Sequence, residues 1–170
     1  ENEINGYVYD PLNFVTTAEN VEGTSDRQGI EATLDAKLTA TLRAKASYTY
    51  TDATEPNSTT GSDVDELRRA RHLASASLNW SPTSKLNLAL NAQYNGAQDD
   101  IFFPPWSQSS QVLELDDYTL LNLTANYQMN KQLSVYTRLD NLLDENYEEV
   151  YGFQSLGFGA VLGVRYNFSR

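Results

Sequence analysis

The residue types that do chemistry are few in this chain and poorly grouped. The single histidine, His72, has no serine or aspartate partner in the sequence that suggests an esterase or protease constellation. It reads instead as a polar rim residue. With no cysteine in the chain, thiolate nucleophiles, thiolate zinc sites and disulfide frameworks are excluded together. Asp63, Asp65 and Glu66, with Asp99 and Asp100, offer the hard oxygens that bind Ca²⁺. Their spacing matches no defined calcium loop, and a diffuse acidic rim is the simpler reading. Asn141 and Asp144 suit side-chain capping where a strand meets a loop. The best binding candidate is apolar. Phe102-Phe103-Pro104-Pro105-Trp106 is an aromatic loop cluster that either marks a binding surface or packs onto neighbouring loops. No catalytic residue, cofactor or metal site is expected.

The elements that must position these residues alternate with period two. From Phe158 to Phe168, the apolar set Phe158, Ala160, Leu162, Val164, Tyr166 and Phe168 interleaves with Gly159, Val161, Gly163, Arg165 and Asn167. Such alternation marks a strand between two different environments. Six upstream segments repeat it, led by Ile30, Leu42, Ala74, Leu86, Leu121 and Leu133. Each has about the 9–11 residues that a tilted strand needs to cross a bilayer. An apolar stripe ending in Tyr166 and Phe168 fits the closing strand of an outer-membrane β-barrel, with these aromatics at the membrane–water interface. Leu86, Leu88, Leu90, Leu121, Leu123, Leu162 and Val164 then share one lipid-facing surface. Glu31, Asp35, Arg43, Lys45, Arg138, Asp140 and Arg165 face the other way, towards a hydrated wall or a lumen that contacts a plug or solute.

Composition agrees. The chain is 40% hydrophobic, yet its mean hydropathy is −0.52, as expected when only alternate residues meet lipid. No run approaches the roughly 18 apolar residues of a membrane-spanning helix, so any span must be β. A net charge of −11 argues against a nucleic-acid partner. Glu1-Asn2-Glu3 does not resemble a signal peptide, so the chain is expected to be a mature form or a piece of something longer. A soluble sandwich is the competing architecture, but it need not alternate long connections with tight turns. Here short turns lie near Lys37–Thr41, Ser81–Lys85 and Asn130–Gln132, and long connections at Asp52–Leu67, Gln98–Asp117 and Glu145–Gly157. The long ones are assigned to the cell exterior and the C-terminus to the periplasmic side. Trp80, Tyr127 and Phe168 then form one aromatic girdle, and Tyr48, Tyr50 and Tyr94 the other. A truncated strand at Ile4–Val8, a loop at Pro11–Phe14 and a descending strand through Val21–Ala36 complete about eight antiparallel up-and-down strands.

Asn141-Leu142-Leu143-Asp144-Glu145-Asn146-Tyr147, placed between an alternating strand and the aromatic final strand, resembles the C-terminal region of TonB-dependent outer-membrane receptors. Gly29-Ile30-Glu31 and Leu67-Arg68-Arg69-Ala70-Arg71-His72 are similar to that family's pattern too. The loop Tyr147-Glu148-Glu149-Val150-Tyr151-Gly152-Phe153-Gln154 is most similar to the vitamin B12 transporter branch, and ferric-siderophore receptors have similar loops. The resemblance implies the C-terminal portion of a wide barrel of about 22 strands with a plugged lumen, although Ser169-Arg170 follow the aromatic at which the family usually stops. Its implied partners are outer-membrane lipid and lipopolysaccharide (bridged to the acidic rim by divalent ions), the receptor's own N-terminal strands and plug, TonB acting through that plug, and a bulky solute. That solute is a ferric siderophore or cobalamin. Phe102, Phe103 and Trp106, with Tyr151, Phe153 and Gln154, are expected to form the outer rim of the solute site. A complete small eight-stranded barrel with a structural or adhesion role is the alternative.

Overall fold

The computed structural model describes residues 4–20, 23–57, 60–106 and 109–168; Glu1–Glu3, Val21 and Ser169-Arg170 lie outside them. Within these limits the chain is all β. In chain order the strands are β1 (Ile4–Asp10), β2 (Val15–Asn20), β3 (Asp26–Lys37), β4 (Leu42–Pro56), β5 (Asp63–Asp65), β6 (His72–Thr83) and β7 (Leu86–Asn95). There follow β8 (Gln98–Phe102), β9 (Gln111–Leu115), β10 (Tyr118–Gln128), β11 (Leu133–Asp140), β12 (Glu148–Val150), β13 (Phe153–Gln154) and β14 (Gly159–Tyr166). The long strands form an antiparallel wall in the order β14-β11-β10-β7-β6-β4-β3, with β5 paired to β4.

Register carries the two-face argument across the whole wall. Leu34 pairs with Ala46, Ala46 with Ala76, Ala76 with Ala92 and Ala92 with Leu121. One row over, Leu78 pairs with Leu90, Leu90 with Leu123, Leu123 with Leu139 and Leu139 with Ala160. A slip of one residue anywhere would throw a whole strand's apolar set onto the polar face. No second layer covers the apolar side: among the described residues, Ala53, Ala70 and Leu115 are the only buried hydrophobics, while Leu162 stays 76% exposed and Val164 65%. In water so large an apolar surface would be an aggregation liability; in lipid it needs no cover.

The opposite face is polar but not uniform. On β3 and β4, Asp35 accepts from Arg43 at 2.7 and 3.0 Å and pairs with Lys45 at 3.6 Å. On β11, Arg138 reaches Asp140 at 2.9 Å. The Arg165 guanidinium lies 5.7 Å from the Tyr136 ring centroid, and that ring covers Gly163 so closely that an added Cβ would meet it at 2.2 Å. Between these flanks β6, β7 and β10 present a band with no charge, made of Ser75, Ser77 and Asn79, then Asn87, Asn91 and Gln93, then Asn122, Thr124 and Asn126.

Two expectations about the start of the chain need correction. The strand at Ile4 does not join the wall; β1 pairs with β2 as a separate hairpin. The descending wall strand begins at Asp26, not near Val21. Here the sequence alternates weakly, so periodicity could not separate a hairpin from a strand that enters the wall. The wall is open: among the described residues β14 pairs only with β11 and β3 only with β4.

Candidate functional site

The long connections are not irregular loops. β4 runs past the expected start of the first one and pairs with β5, β8 and β9 make a hairpin inside the second, and β12 and β13 make one inside the third. The β8–β9 hairpin ends at Phe102 paired with Gln111, because Pro104 and Pro105 have no N–H to continue a ladder. Phe103 therefore projects from the tip 68% exposed, and Trp106 is fully exposed.

Of the six rim residues expected from sequence, Phe102 and Tyr151 meet edge to face with ring centroids 4.9 Å apart. Tyr151 and Gln154 line an open cavity of about 480 Å³ together with Leu113, Glu114, Asp116, Asp117, Asn146, Tyr147 and Glu148. Phe102, Phe103, Trp106 and Phe153 are not in its lining; Phe103, Trp106 and Phe153 stand as exposed side chains. The cavity's acidic side chains escaped the sequence reading. Their one signal was compositional: no Lys or Arg occurs between Lys85 and Lys131, nor between Arg138 and Arg165.

The most buried group at this end is Asp100, with no exposed surface. Its Oδ1 accepts from Arg68 Nε at 2.6 Å and from the Ile101 N–H at 2.8 Å; its Oδ2 accepts from the Tyr151 N–H at 2.7 Å. Burial alone would push this carboxyl's pKa up, but the Tyr151 N–H, the Arg68 guanidinium and the Ile101 N–H together hold it below the ordinary carboxylate value. Asp65 pairs with Arg71 at 2.7 Å, and Glu66 pairs with Arg27 at 2.5 Å and with Arg69. These contacts correct the calcium reading for Asp65, Glu66 and Asp100: their oxygens are engaged by arginines and, at Asp100 Oδ2, by the Tyr151 N–H. Among the described residues no group of acidic or histidine side chains is placed to hold a metal.

His72 opens β6 at its outer end, where a rim residue was expected, and there faces the apolar side. It pairs with Tyr50 on the apolar face, and its Nδ1 lies 2.8 Å from the Tyr48 hydroxyl. Asn141 caps as expected. Its backbone is left-handed at φ 48°, which asparagine tolerates. Its Oδ1 accepts from the Glu145 N–H at 2.9 Å, and its Nδ2 donates to the Glu145 and Leu156 carbonyls at 2.9 and 3.3 Å. Asp144, at φ 50°, accepts from the Phe158 N–H at 2.8 Å and so leads the chain into β14. At the other end of that strand, the Tyr166 and Phe168 rings meet edge to face at 4.8 Å.

The family described as TonB dependent receptor-like, beta-barrel matches residues 1–142. The chain belongs to that family. This places it in the bacterial outer membrane, so the apolar face meets lipid and the long connections face outward. Solved barrels of the same fold include the pyoverdine outer membrane receptor FpvA from Pseudomonas aeruginosa bound to pyoverdine (TM-score 0.73, 18% identity, 97% of this chain and 26% of that one). They also include the ferric-catecholate import receptor Fiu from E. coli in its closed form (TM-score 0.70, 16% identity, 97% and 24%). A third is the siderophore receptor PiuA from Acinetobacter baumannii (TM-score 0.67, 19% identity, 94% and 24%). The chain spans about a quarter of the length of these receptors. The family match ends just inside the Asn141–Tyr147 segment.

Proposed function

We propose that this TonB-dependent receptor barrel is the C-terminal wall of a transporter for a scarce, bulky solute, captured at the outer connections and passed inward when a plug coupled to TonB moves. The observation that carries this reading is the open wall. An unpaired strand edge in lipid leaves N–H and C=O groups unsatisfied, each costing several kcal/mol. A closed small barrel would need β1 to pair with β14, and β1 pairs with β2 instead. The free edges of β3 and β14 call for further strands of the same receptor, in line with the quarter-length coverage.

A ferric siderophore is the favoured solute, supported by the siderophores that the similarly folded receptors bind; cobalamin is the second choice, resting on the Tyr147–Gln154 loop. Nothing in the wall performs catalysis in this reading. The cavity beside Tyr151 and Gln154 is lined mainly by carboxylate and amide side chains, with Leu113, Leu115, Tyr147 and Tyr151 as its apolar part. Its carboxylates disfavour an anionic solute at that point. In the full-length receptor, replacing both Phe103 and Trp106 with Ala is expected to weaken solute capture without lowering barrel yield. Unchanged capture would remove those aromatics from the solute site.

A further inference from the structure

We propose that Asp100 is a positioning residue for solute capture, tying three outer connections into one body and setting the Tyr151 side of the cavity. This rests on the reading of the outer connections as the solute site. Asp100 lies in β8, Arg68 in the connection before β6, and Tyr151 between β12 and β13; the two contacts span 32 and 51 residues of sequence. Both carboxylate oxygens are used and the side chain has no exposed surface.

The neighbours reinforce the tie in both directions. The Arg68 N–H donates to the Asp99 carbonyl at 2.6 Å, so Arg68 grips the hairpin with backbone and side chain together. It does so from a left-handed backbone at φ 57°, a conformation unusual for a residue with a side chain and kept only where surroundings enforce it. On the far side, Gln98 Nε2 donates to the Glu149 carbonyl at 3.1 Å, and Phe102 packs on the Tyr151 ring. Withdrawing any one connection strands a buried carboxylate without its partner, which is strongly unfavourable. The three connections therefore shift together or not at all, and a solute touching Tyr151 feels the position of Arg68.

Asparagine is the informative replacement. Asp100→Asn keeps the shape and one acceptor, but removes the charge that Arg68 pairs with and turns an amide NH₂ towards a donor. Two measurements on the full-length receptor test the proposal. The first is hydrogen exchange without solute. Asp100→Asn is expected to speed exchange in 60–71, 98–117 and 145–157 together and leave β7 and β10 unchanged; acceleration confined to 98–117 overturns the tie. Arg68→Lys, a milder change, is expected to show the same pattern more weakly, and serves if Asp100→Asn fails to assemble.

The second is capture of radio-iron-loaded siderophore extracted from iron-starved culture medium of the source organism. Asp100→Asn is expected to weaken capture on the order of tenfold, but to add little on a Tyr151→Ala background, since residues acting through one another are not additive. Additive losses indicate general destabilisation and overturn the positioning role. Unchanged capture by Asp100→Asn, where the Phe103/Trp106 double alanine variant loses it, overturns this inference and leaves the solute-site reading standing. A wild-type receptor that captures none of the probe, with an unaltered exchange pattern, overturns the siderophore reading and the capture role of Asp100 with it.

Discussion

In the wall, Ala76 lies between Ala46 and Ala92, and Leu90 between Leu78 and Leu123; any of these could become another apolar residue without altering the neighbours' task. At the outer connections, Asp100 has three partners on three segments, and Asn141 satisfies groups on Glu145 and Leu156. Both regions are antiparallel β. The wall is held by many weak and interchangeable side-chain placements whose sum is set by lipid, whereas the connections are held by a few irreplaceable polar bonds. The wall is therefore expected to tolerate substitution by residue class and the connections only by residue identity.

The sharpest way to break this contrast is to put charge on the wall. Leu88→Arg or Leu162→Arg is expected to cost about 2–4 kcal/mol where the site lies near mid-bilayer, against little for a polar substitution at Asn91 on the lumen face. Folding titrations in lipid vesicles measure it, and equal costs at Leu88 and Asn91 would remove the distinction between faces. Next in size is Asn141→Ala. It leaves the Glu145 N–H and two carbonyls without their partner and forces alanine into a left-handed backbone, for a cost of about 2 kcal/mol. Asn141→Gly relieves only the backbone part and is expected to fall between alanine and wild type. If alanine and glycine cost the same, the side-chain bonds account for the whole effect.

A smaller effect is expected with pH. The Asp100 carboxyl sits below its ordinary value in the folded state, so its contribution is complete above the unfolded carboxylate pKa and is lost as pH falls through the lower folded value. Hydrogen exchange in 145–157 should accelerate in that acidic window in wild type and show no such step in Asp100→Asn. The least effect is expected from Gly163→Ala. Its Cβ meets only the outer end of the Tyr136 ring, which can swing aside, so the change costs about 1 kcal/mol, mostly in lost ring packing.

The same contrast explains what the sequence made legible. Alternation from Ile30 to Phe168 defined all seven wall strands and their lipid-facing residues, because period two is a local property that every strand repeats. The capping of Asn141 was legible because its two bonds to Glu145 act four residues away; the bond to Leu156 was not. The Asp100 tie was not, since its partners lie 32 and 51 residues away and no local pattern announces a buried ion pair. Asp100 read as part of an acidic rim for the same reason, since Arg68 becomes its neighbour only after folding; Arg69 and Arg71 lie three and six residues from Glu66 and Asp65, and spacing alone did not show that they pair. The rim position of His72 was legible, but its register with Tyr50, which turns it to the apolar face beside the Tyr48 hydroxyl, was not. The aromatic tip at Phe103 and Trp106 was recognised, but its hairpin held it outside the cavity lining.

The central claim is that the two faces of the wall meet lipid and water respectively. Single cysteines at Leu88, Leu162 and Asn91 of the full-length receptor, each carrying a fluorophore in lipid vesicles, test it directly. Quenching by lipid-borne nitroxide at Leu88→Cys and Leu162→Cys, with Asn91→Cys quenched only by a water-soluble agent, is the predicted result. Aqueous quenching at Leu88→Cys and Leu162→Cys, or nitroxide quenching at Asn91→Cys, would contradict it.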